Sequence, residues 1–193
     1  MQDYPEKTLE DREVKGVNFS NTSFAKCSFT RCTFISCHFS ECHFHNTHFS
    51  ECRFKNCSLE RVNLAGCRFQ NALFEESKII GAEFYKCDKT FLSIHFEKSI
   101  LLACNFSDLK MKKTRFCGCK IKECYFNHTD LQESNFSDSD LTETLFHHSD
   151  LSKADFRGAV NYSINPQANQ LKRATFSSPE ALSLLTFFDI QIE

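Results

Sequence analysis

The sequence is poor in several residue types, and each shortage excludes a class of protein. Its 193 residues contain no Trp, five Gly and three Pro, which excludes a collagen-like, linker-rich or disordered chain. No apolar run approaches the about 20 residues that cross a bilayer, and no signal peptide opens the chain. With 23 basic and 25 acidic side chains the formal charge is −2. We therefore expect one soluble, cytoplasmic domain with no membrane partner and no charge-driven affinity for nucleic acid.

Phe, by contrast, is abundant, with 22 copies, and it marks an internal repeat. An apolar residue recurs at every fifth position, sixteen times from Leu9 to Phe84 and fourteen times from Phe91 to Phe156. Nineteen of the 22 Phe belong to this set. The residues expected at the centre of the core include Phe24, Phe44, Phe106, Phe126 and Phe146.

A period of five fits neither an α-helix nor a single long strand. On a helix the apolar residues would face every direction, and on one strand they would alternate between two faces. The period fits a chain that turns a corner every five residues and points each central residue inward. The residue two places earlier, which is small at most repeats, shares that face. The sequence therefore predicts an all-β solenoid, and the arithmetic leaves open whether three or four sides form a coil.

Eleven of the twelve Cys occupy the small inward position, and Cys117 is the exception. A metal or redox site is one interpretation, but small, apolar core filler is the favoured one. The Cys- and His-rich segment 37–52 resembles a metal cluster, yet its Cys face inward and its His face outward. His43 and His45 could bind an ion only adventitiously. We expect no metal site and no cofactor.

The segments Ala154–Gly158 and Ser139–Glu143 follow the pattern A(N/D)LXX and resemble the pentapeptide-repeat family. The resemblance implies a right-handed quadrilateral β-helix with four five-residue sides per coil, over residues 9–176. Residues 1–8 would lead into it. At twenty residues per coil, the rod would have seven to eight coils and a length of roughly 35–40 Å.

The repeat slips once, since Phe84 and Phe96 are separated by twelve residues instead of ten. The break lies within residues 85–95 and is either a tolerated insertion or a functional loop. Carried through the slip, the register places aliphatic side chains in an outward contact patch. The partner-binding candidates from these features are Thr90, Phe91, Leu92, Ile80 and Leu102.

Charge is segregated along the predicted rod. Residues 110–122 carry six basic and no acidic groups, whereas residues 127–156 have a net charge of −6. The two bands could form ion pairs between coils, or the acidic band could face a basic partner. The acidic partner-binding candidates are Asp130, Asp138, Asp140, Glu143 and Asp150.

Residues 177–193 leave the repeat and predict a short α-helix followed by an alternating tail. Ser178 and Pro179 are typical of a helix start, and the apolar residues after them would cover the open end of the solenoid. The same apolar residues predict a symmetric homodimer. Its interface candidates are Leu182, Leu185, Phe188, Ile190 and Ile192.

No catalytic motif is recognisable, so we expect a binding protein with no enzymatic activity and no small-molecule substrate. The repeats, the Asn165-Pro166 corner and the apolar tail resemble the pentapeptide-repeat subgroup of quinolone-resistance (Qnr-type) and microcin-immunity proteins. That resemblance implies a DNA-mimicking rod that binds DNA gyrase or topoisomerase IV and protects it from inhibitors. The alternatives are a protein scaffold that uses the patch near Ile80 and Leu102, and a nucleic-acid binder that uses the basic residues of 110–122.

Overall fold

The chain folds into a four-sided β-solenoid in a computed structural model that describes residues 2–5, 7–188 and 190. Short strands pair in parallel with the strand one coil away, as Phe29 pairs with Phe49 and Phe34 with Phe54. A partner twenty residues away means four sides of five residues each. The predicted fold is confirmed, but the rod has about nine turns where the sequence predicted seven to eight. The difference arises because pairing starts before Leu9, and the final turn reaches Phe176.

The strands define four sides, numbered here in chain order. Side 1 contains Gln2–Asp3, Thr22–Ser23, Tyr125–Asn127, Leu145–His147 and Ser163–Ile164. Side 2 contains Thr8–Glu10, Ser28–Thr30, His48–Ser50 and Arg68–Gln70. Side 3 contains Glu13–Lys15, Thr33–Ile35, Arg53–Lys55, Ala72–Glu75, Ile94–Glu97, Phe116–Cys117, Asp155–Phe156 and Thr175–Phe176. Side 4 contains Ser58–Glu60, Lys78–Ile80, Ile100–Leu102 and Lys120–Lys122. Isolated bridges extend these sheets where strands are interrupted.

The core consists of Phe columns that run along the rod axis. On side 3 the rings from Phe34 to Phe176 stack at centroid separations of 4.5 to 5.5 Å. Rings of side 1 meet this column edge-on, as Phe106 meets Phe116 at 85°. Offset stacks and perpendicular contacts are the favoured aromatic geometries. The predicted core residues Phe24, Phe44, Phe106, Phe126 and Phe146 are all buried.

The small inward position has a second role that the sequence analysis missed. At many coils its Cys, Ser or Thr side chain donates a hydrogen bond to the carbonyl of the central residue 23 residues earlier. Thr47 Oγ1 donates to the Phe24 carbonyl at 2.7 Å, Ser77 Oγ to that of Phe54 at 3.0 Å, and Cys52 Sγ to that of Phe29 at 3.3 Å. Cys at this position is therefore more than filler, since it also donates. The sequence did contain a signal for this hydrogen bond, because the donors Ser and Thr occur at the same position as Cys.

The twelve Cys are free thiols, and eleven of them are buried while Cys117 is half-buried. Burial raises the pKa of Cys52 and of Cys119 to about 12. A thiol is alkylated as its thiolate, so burial and a raised pKa both suppress its reaction.

We expect brief treatment of the native protein with iodoacetamide at pH 8 to modify Cys117 alone. Intact-protein mass spectrometry should show one adduct on the native chain and twelve after denaturation. The Cys117→Ser variant provides the control and should show none when native. Rapid native labelling of Cys32 or Cys52 would instead mean that the coils open readily.

The corners are turns in which the second residue after nearly every centre has a positive φ. All five Gly of the chain lie at such corners, but most corners carry other residues, at φ near +50° to +60°. At Gly66 a side chain would also displace the Asn46 side chain, since a Cβ atom would lie 2.1 Å from Asn46 Oδ1. The low Gly content therefore means that most corners hold a strained left-handed residue.

The last coil is irregular, and a short helix ends the described chain. Phe146 pairs with Ile164, which is only eighteen residues away. The spacing is again twenty residues where Asp150 pairs with Gln170. Glu180–Phe188 forms a 3-10 helix, where the sequence predicted an α-helix. Three residues per turn align Ala181, Leu184 and Phe187 in one row, and Leu184 packs against the core. In an α-helix three residues advance by only about 300°, not by a full turn. Residues three apart would then no longer align, and the row would turn away from the last coil.

Candidate partner-binding surfaces

The register break is confined to a few residues on side 2. Arg68 Nε still contacts Asp88 Oδ2 at 2.7 Å, a spacing of twenty residues. By Ile94, which pairs with Ala72, the spacing has become 22. Between them, the Thr90 N–H donates to Asp88 Oδ1 at 2.8 Å, and the Ser93 N–H donates to the Phe69 carbonyl at 3.0 Å. The two extra residues therefore form a turn that begins at Asp88 and rejoins the ladder at Ser93.

The turn pushes Phe91 out of the rod. Its side chain is 81% exposed, although the five-residue series counts it among the inward residues, so that assignment is wrong. The displaced backbone cannot direct Phe91 inward, and Leu92 packs against the core in its place. Thr90 and Phe91 border a shallow cavity of about 170 Å³ whose other lining includes His48 and Arg68.

The acidic candidates do not form one surface. Asp130 and Asp150 are bridged neighbours on side 2. Asp140 lies on side 4, where it bridges Lys120 and Val160. Asp138 and Glu143 lie at the corners before and after side 4, in left-handed backbone. The acidic band is therefore divided between a pair on side 2 and a group of three around side 4.

Three of these carboxylates also brace their own corners. Asp130, Asp140 and Asp150 each accept the backbone N–H of the residue two places later, at 3.3, 3.1 and 3.0 Å. This turn explains why Asp or Asn precedes the central residue in many repeats. Hydrogen bonds from Thr142 and then Asn161 hold the pKa of Asp140 below its usual range. Asp138 and Glu143 are the more exposed members of the set.

The basic band at 110–122 is largely neutralised by ion pairs between coils. Lys113 Nζ lies 3.7 Å from Glu133 Oε2, and Lys112 Nζ lies 3.4 Å from Asp130 Oδ2. Arg115 Nε contacts Glu97 Oε1 at 2.9 Å. Each exposed pair contributes only about 0–1 kcal/mol to stability, but together they leave few cations for a phosphate backbone.

The aliphatic candidates lie together on side 4. Ile80 pairs with Leu102, and Lys78 with Ile100, across neighbouring strands. Ile100 is 41% exposed, and with Leu102 it lines a cavity of about 340 Å³. This cavity is on a different side of the rod from the Phe91 turn, so the structure does not bring the two groups of candidates together.

The apolar dimer candidates lie on the outer row of the C-terminal helix. Three residues per turn align Leu182, Leu185 and Phe188, and Leu182 and Phe188 are 49% and 44% exposed. Ile190 is 55% exposed. Ile192 and the rest of the predicted edge strand, apart from Ile190, lie outside the described residues.

Within the part of the chain that the structure describes, no three His, Cys, Asp or Glu side chains are placed to hold a metal ion. Cys37 and Cys42 are buried while His38 and His43 beside them are exposed. A search of the same residues finds no helix with the length and apolarity needed to span a membrane.

Comparison with known proteins identifies the family. The profile of the family described as pentapeptide repeat region matches residues 27–94 and 87–156. The chain belongs to the pentapeptide-repeat family. No curated protein sequence matches it.

Two solved structures of trypsin-treated variants of QnrB1, described as a plasmid-mediated fluoroquinolone resistance protein, share the fold. Each superposes with a TM-score of 0.68 at 18% identity and covers 97% of this chain. The match spans 98% of the first QnrB1 chain and 99% of the second. The predicted resemblance to a Qnr-type pentapeptide-repeat protein is confirmed for the fold.

Proposed function

We propose that this pentapeptide-repeat protein is a non-enzymatic rod that binds DNA gyrase or topoisomerase IV and protects it from inhibitors such as quinolones or microcin-type toxins. The observation that carries the proposal is the similarity to QnrB1 along 97% of the chain. A binding role also agrees with the side-chain chemistry. Among the described residues, the rings of His45 and His95 make hydrogen bonds, to an Asn side chain and a backbone N–H, and no hydrogen bond joins a Ser hydroxyl or a Cys thiol to a His ring.

In this proposal the acidic band of the rod, residues 127–156, imitates the charge of DNA. Successive coils place outward side chains about 4.8 Å apart along the axis. Asp138 and Glu143 are exposed and would approach a basic surface first. Asp140, half-buried in its corner turn on side 4, would add to the field beside them, whereas Asp130 and Asp150 would act from side 2. Electrostatic complementarity of this kind would mainly accelerate association.

The turn of Thr90, Phe91 and Leu92 would be a second contact with the same enzyme. Phe91 offers a large exposed ring on an otherwise polar side. A ring of this kind buried in a partner's pocket supplies much of an interface's binding energy. The two extra residues are the only part of the described repeat, apart from the irregular last coil, that departs from the twenty-residue register.

A gyrase supercoiling assay tests the proposal. With a fluoroquinolone present, we expect added protein to restore supercoiling, and the Asp138→Lys/Glu143→Lys double variant to need roughly ten times more protein. Glu51→Lys/Glu76→Lys is the matched control, because both residues are exposed corner acids outside the acidic band. The proposal fails if the unaltered protein gives neither rescue nor binding at micromolar concentration with gyrase and with topoisomerase IV.

We further propose that the protein forms a homodimer through the outer row of its C-terminal helix. Leu182, Leu185 and Phe188 would meet their counterparts across a two-fold axis, together with the tail residues Ile190 and Ile192. Leu182→Glu should convert the dimer to a monomer in sedimentation velocity, since it places a charge in the apolar contact. Leu145→Glu, which alters a leucine of similar exposure on side 1, should leave the dimer intact. A monomeric unaltered protein at 100 µM, about 10⁻⁴ M, would contradict this interface.

The scaffold alternative is favoured by one observation, the aliphatic cavity on side 4. Direct binding of nucleic acid is less well supported, since three of the six basic residues of 110–122, Lys112, Lys113 and Arg115, are paired with carboxylates of neighbouring coils. The cavity shares Asp140 with the acidic candidates, but its aliphatic residues take no part in the proposed topoisomerase contacts.

A further inference from the structure

Side 4 carries a cavity that the proposed topoisomerase contacts leave unexplained. Its apolar lining consists of Ile100, Leu102 and the buried Ile121. Ile80 extends the aliphatic surface, because it pairs with Leu102 on the neighbouring strand. Three outward aliphatic side chains thus meet on one side of a rod whose outward positions are mostly polar, while Ile121 directs its side chain into the core.

Lysines surround this aliphatic surface. Lys120 and Lys122 line the cavity, and Lys78 pairs with Ile100 in the same outward column as Lys120. Lys120 and Lys122 are alternate residues of one strand, so their side chains leave the same face about 7 Å apart. The lining therefore combines an apolar pocket with two cations of fixed spacing.

The negative charge beside the cavity is already engaged. Asp140 is the one carboxylate that lines it, and its Oδ1 accepts hydrogen bonds from Thr142 Oγ1 at 2.6 Å and Asn161 Nδ2 at 2.9 Å. Lys122 Nζ approaches Glu123 and Glu143 only at 3.7 and 3.9 Å. Exposed pairs of this length are weak, so Lys122 can exchange them for a better carboxylate.

The chemistry of this lining selects its occupant. A nucleic acid would need aromatic side chains for its bases to stack on, and the lining has aliphatic residues instead. A cavity of about 340 Å³ accepts one apolar side chain and is small for a ligand that needs a closed pocket. The two lysines favour carboxylates that are two residues apart in an extended chain, because such groups share a face and the same spacing.

We propose that this cavity is a docking site for a protein partner that presents an extended acidic segment with one aliphatic side chain. The aliphatic side chain enters between Ile100 and Leu102, and two alternate carboxylates of the segment pair with Lys120 and Lys122. The partner differs from that of the acidic band, which requires a basic surface. This site therefore goes beyond the proposed function and stands or falls separately from it.

Fluorescence anisotropy with two labelled peptides tests the site. The probe is fluorescein-Gly-Leu-Ser-Glu-Ser-Glu-Gly, and its counterpart has Lys in place of both Glu. We expect the acidic probe to bind and to lose affinity as salt increases, while the basic counterpart does not bind. Leu102→Asp and the Lys120→Glu/Lys122→Glu double variant should each weaken binding roughly tenfold.

Leu145→Asp is the matched control, since it introduces the same charge at an exposed leucine on side 1. It should bind the acidic probe as the unaltered protein does, and thermal unfolding should show that all three variants are folded. Equal loss of binding in Leu102→Asp and Leu145→Asp would overturn the proposal. So would the absence of binding at millimolar protein, equal binding of the basic counterpart, or displacement of the probe by duplex DNA.

Discussion

Phe116→Ala is expected to lower the free energy of unfolding by about 3–5 kcal/mol, the cost of truncating a buried Phe. The Phe116 ring is stacked between Phe96 at 5.3 Å and Phe136 at 4.7 Å. It also meets Phe106 and Phe126 nearly at right angles. The substitution therefore interrupts the side 3 column and removes four aromatic contacts. In a thermal melt the midpoint should fall by on the order of 10 °C.

Phe91→Ala provides the control, because it removes the same side chain from a residue that is 81% exposed. Its midpoint should stay within about 2 °C of the unaltered protein, the usual range for surface substitutions. Comparable losses in both variants would mean that the Phe columns do not carry the stability of the rod.

Deletion of Lys89 and Thr90 is expected to retain the fold and abolish the proposed contact at the turn. The deletion places Phe91 five residues after Phe84 and five before Phe96, with Cys87 at the small inward position. Phe91 would then enter the side 2 core between Phe69 and Met111. Its burial is worth about 1.5–3 kcal/mol, less the packing lost when Leu92 moves outward. We expect a melting midpoint equal to or above that of the unaltered protein.

The same deletion variant separates stability from function. If the turn contacts the topoisomerase, protection in the supercoiling assay should be lost although the rod is at least as stable. Phe91→Ala in the full-length turn should lose much of the protection and show how far one ring accounts for it. A deletion variant that melts earlier would show that the two residues are structurally required, and one that protects fully would exclude the turn from the contact.

Most of the fold could be predicted from the sequence, because the same five-residue pattern recurs along most of the chain. Each central residue faces inward at a five-residue interval, and the buried Phe24, Phe106 and Phe146 follow it. The rule fails at Phe91, where two extra residues change the direction of the backbone. It also fails at the C-terminal helix, whose type depends on contact with the last coil. The sequence shows that Phe91 and Leu184 are apolar. It does not determine the backbone conformation at either residue, and that conformation decides which way each side chain points.

The candidate surfaces were less predictable, since they depend on which columns share a side. The acidic set appears continuous along the chain, yet Asp130 lies on side 2 and Asp140 on side 4. Asp130, Asp140 and Asp150 are also partly used in their own turns. The hydrogen bond from Thr47 to the Phe24 carbonyl was missed because it joins positions 23 residues apart.

The five-residue period by itself determined an all-β solenoid with a Phe core, because no other backbone points every fifth side chain to one interior. The tertiary structure decided which charges neutralise each other and where a lysine-bordered cavity forms beside Leu102. The physical reason is that burial depends on the position within each repeat, whereas a surface depends on neighbours twenty or twenty-two residues away. A two-residue slip changes the neighbours of the residues that pair across it and leaves the period on either side intact.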